Sequence, residues 1–222
     1  MTPMDLDRLL KLLRKTYDAQ NWWPSESPFE VMVGAILTQQ TTWEIVASML
    51  DRLREDGLLD VDRMASVEVT VLESILRPAG FYRQKAKRIK LLASYLVDSH
   101  GSDPLSLLDG PTDSVRKELL SLEGIGNETA DSILVFAAGR PKFVAAAYSS
   151  RVLKRTGVLC SCDYDEIQTF VESNLRGSPR DFRDLYALIV QHSKDKCRAV
   201  PSCPDCLLSR ECLHFTGQGR RR

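Results

Sequence analysis

The chain lacks any run of about eighteen apolar residues, which excludes a hydrophobic membrane-spanning helix. Its opening, MTPMDLDRLL, carries acids early and has no apolar h-region. A secretory leader is therefore not expected, and a cytoplasmic protein is. Net charge is lacking too: 30 basic residues balance 30 acidic ones. A neutral total leaves nucleic-acid binding open, because a binder needs a local basic face rather than a basic sum. No stretch alternates polar and apolar residues long enough to predict a sheet. There is no low-complexity linker and no fixed-period repeat.

What is present is a helical period. MDLDRLLKLLRKTY sets Leu6, Leu9, Leu10, Leu13 and Tyr17 on one face, with Thr2 as the expected cap and Pro3 in the first turn. Ser27-Pro28-Phe29-Glu30 and Thr41-Thr42-Trp43-Glu44 each read as a capping box opening a helix. Further helices are expected over 67–76, 84–98, 114–121, 128–138, 149–156, 164–175 and 180–195. The expected fold class is all-α, with short connections. The signs of charge are placed unevenly: FYRQKAKRIK and the terminal GRRR are basic, and DYDEIQTFVES is acidic.

Four of the six cysteines, Cys197, Cys203, Cys206 and Cys212, crowd into the C-terminal region. Such density in a cytosolic chain reads as ligation of a soft metal centre. A zinc site favours two CxxC knuckles, and only one close pair occurs here. An iron–sulfur cube takes four cysteines at wider spacings, so spacing alone leaves both open. Cys160 and Cys162 read as small side chains at a helix end.

LLSLEGIGNETADSIL, residues 119–134, is more specific. An apolar helix ends near Leu122, Gly124-Ile125-Gly126 turns, Asn127 is the expected cap, and a second helix begins. Bare backbone N–H groups at such a helix start bind phosphate without regard to base sequence. Helix–GIG–helix is the pattern of the helix-hairpin-helix phosphate clamp.

Hairpin, following loop and four-cysteine cluster, in that order, resemble the endonuclease III superfamily of DNA glycosylases over nearly the whole chain. WWPSESPFEVMVGAILTQQTTWEIV, LRPAGFYRQKAKRIK and GNETADSIL most resemble its monofunctional branch, including the 3-methyladenine DNA glycosylase subset. The resemblance implies two helical domains with the active site in a cleft between them. One, residues 22–133, would be a six-helix barrel carrying the hairpin. The other would join residues 1–21 to 134–222 and hold a [4Fe–4S] cluster on the four cysteines. The first cysteine interval is one residue shorter than the family's usual one. The implied partner is double-stranded DNA containing a damaged base, met by a nucleoid-associated monomer with no membrane contact.

The resemblance also assigns residues. Gln40 falls at the family's wedge position. Trp22 and Trp43 would sandwich a flipped base, with Trp23 and Tyr148 completing the pocket. Gly124, Ile125, Gly126 and Thr129 belong to the DNA-binding hairpin, and Lys85 stands at a recurrent lysine expected to reach phosphate. Glu128 occupies the place of the nucleophilic lysine of bifunctional relatives, which implies no AP lyase step. Ala146, in FVAAAYSSRV, occupies the place of the catalytic aspartate. That departure implies an impaired Asp-to-Ala form of a monofunctional glycosylase acting on an alkylated purine, or on uracil or mismatched thymine. A natural paralogue that binds damaged DNA without cutting is a second reading. A third is an enzyme that uses another acid, Glu128 being the nearest in sequence.

Overall fold

The computed structural model of the protein describes residues 4–20 and 22–219, the last two by backbone alone. All regular structure among these residues is helical. The chain forms two compact units. One is continuous, Trp23–Arg140. The other combines the segment ending at Trp22 with Pro141 onward.

The continuous unit carries α2 (Pro28–Leu37), α3 (Trp43–Glu55), α4 (Val61–Ser66), α5 (Val69–Leu76), α6 (Tyr82–His100), α7 (Pro104–Leu108), α8 (Thr112–Ser121) and α9 (Asn127–Phe136). Its axis is α2. Every residue from Phe29 to Leu37 is buried, Glu30 included. A helix apolar all round must be enclosed by other elements, and α3, α6, α7 and α9 pack against it. Its start is set by Ser27, whose Oγ accepts from Glu30 N at 3.1 Å, and by Pro28 in the first turn. Glu30 then departs from the expected capping box: its Oε2 accepts from Glu26 N at 3.0 Å. Its Oε1 takes Arg54 Nη2 at 2.5 Å, so the buried carboxylate is paired.

The helix expected over 67–76 is α5, Val69–Leu76, and the short α4 before it ends at an extended Val67. Lys90 of α6 donates to Ala65 O at 2.9 Å and also to Val67 O. A cation on the last carbonyls ends α4, and nothing local in the sequence announces that tertiary bond. The box expected from Thr41 is displaced: Thr42 directly precedes α3, and it makes no side-chain cap bond.

The discontinuous unit is built on α12 (Pro179–Asp195), packed against α1 (Leu6–Leu13) and α10 (Ala147–Thr156). It also holds α11 (Tyr164–Asn174) and α13 (Leu213–Gly219). Asp5, not Thr2, caps α1: its Oδ1 accepts from Arg8 N at 2.7 Å. Thr2 and Pro3 lie outside the described residues. The leucine face is as expected, with Leu6, Leu9, Leu10 and Leu13 buried. Each fully buried leucine contributes about 1.5–3 kcal/mol relative to an exposed one. Asp181 Oδ2 accepts from Ser178 N at 2.7 Å and closes the first turn of α12.

One ion pair staples the hairpin. Asp131 of α9 has no exposure and is bonded twice by Arg116 of α8, at 2.7 Å to Nε and 3.0 Å to Nη2. Removing one partner of a buried pair leaves the other charge uncompensated. Asp131→Ala is expected to lower unfolding stability by about 3 kcal/mol, and Asp131→Asn by less. Urea unfolding followed by circular dichroism measures both; equal stability of Asp131→Ala and the parent would refute the staple.

Candidate functional site

In the continuous unit, the hairpin turn is shaped by two different glycines. Gly124 has φ +86, and a Cβ there would lie 2.2 Å from Arg88 Nε. A side chain at 124 would be strained and would displace Arg88. Gly126 is extended, with open space where a Cβ would go. It is Gly126, not Asn127, that precedes the first turn of α9, and no side chain caps that helix. The helix start therefore presents its first backbone donors to solvent with a partial positive charge. Between the glycines Ile125 is buried and anchors the turn in the core. Thr129, in the first turn of α9, is buried as well.

Lys85 is placed differently from its expected role. It is 1% exposed, so it cannot reach a phosphate. Its Nζ donates to Leu37 O at 2.9 Å and to Thr41 Oγ1. Burial, then the nearby Arg88 charge, push its pKa below the ordinary value. The ammonium acts as a cap on the carboxyl end of α2, where cations are favoured. Of the other basic residues of α6, Lys87 pairs with Glu123 at 2.9 Å and Arg83 lies 3.7 Å from Glu73, all in solvent-reaching positions. Lys87 holds the Glu123 carboxyl below its ordinary value.

Two exposed residues of this unit hold left-handed backbone without being glycine, at helix ends. Gln40, with φ +53, follows α2, and Phe81, with φ +58, precedes α6 and is 63% exposed. Such a conformation costs about 1–2 kcal/mol per residue, so the surroundings must impose it. Phe81 escaped the sequence reading; the signal was an aromatic directly before a basic helix, outside that helix's apolar period.

The tryptophans divide between the units. Trp22 belongs to the discontinuous one, half-buried, its backbone N–H bonded to Ala19 O at 3.2 Å. Trp23 meets Trp43 edge-on, centroids 5.4 Å apart, and lies 5.0 Å from Phe136. No base fits between Trp23 and Trp43 in that arrangement. Trp23 packs instead on α2 at Gly34, where a Cβ would lie 3.2 Å from its ring. Trp23 is thus the support for Trp43, which remains half-buried at the start of α3.

Glu128, in the first turn of α9, reaches solvent. The protein around it nevertheless removes enough water to raise its carboxyl above the ordinary value.

In the discontinuous unit, Ala146 is buried and stands directly before α10, at the position whose side chain would cap the helix. Alanine supplies no such bond. The extended segment before it is held on both sides: Phe143 N donates to Glu172 Oε1 at 3.0 Å, and Gln168 Nε2 donates to Phe143 O at 2.8 Å. Ser149 Oγ donates to Val144 O at 3.0 Å. Tyr148 is half-buried, with Arg151 over its ring at 5.2 Å.

Cys197, Cys203, Cys206 and Cys212 line one small space together with Arg155 and His192. Arg155 Nη1 and Leu208 N donate to Cys197 Sγ at 3.3 Å and Cys206 Sγ at 3.4 Å. Burial first, then the neighbouring cysteines, raise the Cys203 and Cys206 thiols. His192 is pushed down to about 4 by burial and is neutral at physiological pH. Among the described residues no three His, Cys, Asp or Glu side chains converge as a single ion requires. Cys160 and Cys162 are exposed free thiols.

If Lys85 caps α2, Lys85→Met should cost about 1–3 kcal/mol of stability, because Leu37 O loses its donor inside the protein. Lys87→Ala, removing an exposed pair, should cost under about 1 kcal/mol. Comparable small losses in both variants, read by urea unfolding, would return Lys85 to the surface role.

Known proteins are similar to this chain in sequence and fold. The chain is 40% identical over 208 residues to a candidate DNA repair glycosylase of Methanocaldococcus jannaschii, covering 93% of this chain and 94% of that one. An endonuclease III trapped in a covalent intermediate with DNA has a similar fold, with TM-score 0.79 at 27% identity over 98% and 95% of the two chains. A 3-methyladenine DNA glycosylase of H. pylori bound to 1,N6-ethenoadenine gives 0.75 at 30% identity over 86% and 98%. With hairpin, α10 and the intervening segment all inside the stretch 33–176 that matches it, the chain belongs to the HhH-GPD superfamily of base excision DNA repair proteins.

Proposed function

We propose that the protein binds duplex DNA at a damaged base as a monofunctional glycosylase scaffold whose catalytic aspartate position is held by Ala146. The observation that carries this is the uncapped start of α9 behind Gly124-Ile125-Gly126, in a chain of this superfamily. Those donors suit a backbone phosphate and read no sequence. Gln40, exposed in left-handed backbone, is suited to fill the place of an extruded base, with Phe81 as a second exposed group. Trp43, backed by Trp23, offers an aromatic face to that base. Stacking on a cationic alkylated purine is favoured over stacking on a neutral one. The similarity to a 3-methyladenine glycosylase supports that class.

The chemistry is hydrolysis of the N-glycosidic bond, in which positive charge grows on the sugar. A carboxylate beside C1′ stabilises that charge or activates water against it. Position 146 suits the task because its backbone is fixed by Gln168, Glu172 and Ser149 before α10 begins. Alanine there leaves binding without efficient excision. Glu128, at the start of the second hairpin helix, offers no amine for a Schiff base, so no strand cleavage follows.

Ala146→Asp is the test. Base release from a duplex containing 3-methyladenine should rise by on the order of 10²–10³, leaving the strand unbroken. Borohydride should trap no adduct. Ala145→Asp and Ala147→Asp aim the carboxylate elsewhere and should rescue poorly. If the unaltered protein excises at full rate and Glu128→Gln abolishes that, the aspartate reading fails and Glu128 is the acid.

The four cysteines suit a [4Fe–4S] cluster better than one zinc. N–H donors already face two of the sulfurs, as suits thiolates that carry a metal core. A single zinc needs four sulfurs about 2.3 Å from one point, whereas a cube takes its ligands from further out. Such a group supplies a cross-link closing the C-terminal loop. Purified protein should be brown and contain iron. A colourless, stably folded protein holding one zinc would refute the cluster.

A further inference from the structure

Gln39 and Gln40 are neighbours that face opposite ways. Gln40 is exposed. Gln39 is half-buried, and its amide joins three elements. Its Oε1 accepts from Arg88 Nη1 of α6 at 2.6 Å. Its Nε2 donates to Gly124 O in the hairpin turn and to Thr129 Oγ1 of α9, each at 3.0 Å. Arg88 in turn lies where a side chain at residue 124 would be. Lys85, one turn before Arg88 on α6, bonds Leu37 O and Thr41 Oγ1 on either side of the pair. Two cations of one helix thus hold the segment 37–41 from beneath, and the amide between them is fixed to the hairpin turn.

We propose that Gln39 is a positioning residue that locks the hairpin turn to the segment presenting Gln40, fixing the distance between the phosphate clamp and the group that enters the DNA stack. The inference rests on the DNA-binding reading above and adds a residue to it. Only a side chain with both an acceptor and a donor at its tip serves: the acceptor meets Arg88, and the two amide hydrogens meet Gly124 O and Thr129. Glutamate would keep the first bond and set a second acceptor against the Gly124 carbonyl. Leucine would keep the volume and lose all three bonds.

The experiment uses the unaltered Ala146 protein as parent, which needs no excision. The probe is a duplex with a tetrahydrofuran abasic analogue and 2-aminopurine opposite it, beside an undamaged duplex of the same sequence. Gly126→Asp should weaken binding to both duplexes while leaving the 2-aminopurine signal at saturation unchanged. Gln40→Ala should remove that signal and leave affinity for the undamaged duplex unchanged. Gln39→Leu should do both, weakening binding by about tenfold, as expected for lost bonds to a charged partner. Adding Gln40→Ala to it should cause no further loss of signal. A folded Gln39→Leu protein that keeps either its affinity or its saturating signal overturns the proposal; reduced stability alone does not alter a signal read at saturation. If Gly126→Asp changes no affinity, it is the phosphate-clamp reading that fails. Should Gln39→Leu not fold, Thr129→Val removes one acceptor at constant volume. It is expected to shift affinity and signal together by a smaller factor, and no shift in either refutes the coupling.

Discussion

A buried ammonium at the end of a buried helix fixes the geometry on which the continuous unit's surface depends. Thr38 and Gln39 take Gly34 O, Ala35 O and Ile36 O at the end of α2, which leaves Leu37 O, inside the protein, for Lys85. Lys85 takes Leu37 O and Thr41 Oγ1 together, so the chain leaves α2 along one path. That path puts Gln39 inward and Gln40 outward in a conformation that glutamine does not choose unaided. Arg88, three residues further along α6, continues the same work by holding the Gln39 amide and filling the space that Gly124 leaves. Hairpin turn, α2 terminus and α6 thereby share one polar network beneath an exposed surface.

The discontinuous unit solves a similar problem through α10. Its first residue follows Ala146, and near its last turn Arg155 reaches Cys197 O, Arg198 O and Ala199 O. Cys212 Sγ returns a bond to Arg155 O. One short helix therefore touches the candidate reaction position at one end and the cysteine loop at the other. The loop has little apolar core of its own, Leu208 being its one fully enclosed hydrophobe. It is held by polar bonds to α10 and by packing of Cys197 and Leu208 on the unit's core.

Much of this was legible in the sequence, and the exceptions have physical causes. The all-helical class, the leucine face of α1 and the glycine turn follow from local period and backbone chemistry. The burial of Lys85 was available but disguised: with Ile89, Leu92 and Leu96 it lies on one helical stripe, all four buried, inside a run that reads as solvated charge. The short α4 was not expected, and its end depends on Lys90 of another helix bonding Ala65 O and Val67 O. The Trp23–Trp43 contact was not available either, because adjacent tryptophans carry no sign of which ring meets which. The reading of Ala146 as the place of an acid came only through the resemblance. The structure adds that Ala146 directly precedes α10 and gives that helix no capping side chain.

The split build of the second unit has a consequence for synthesis. α1 finds its partner α12 only after about 165 intervening residues have been made, counting from Leu13 to Pro179. At typical elongation rates of about 5–20 residues per second, that interval is on the order of ten seconds or more. Through it the leucine stripe of α1 has no native cover, while Trp23–Arg140, continuous in sequence, can close on its own core. The nascent chain is therefore half folded and half adhesive for a period set by translation rather than by folding. The exposed Asp7, Arg8, Lys11 and Arg14 put charge beside that stripe during the interval.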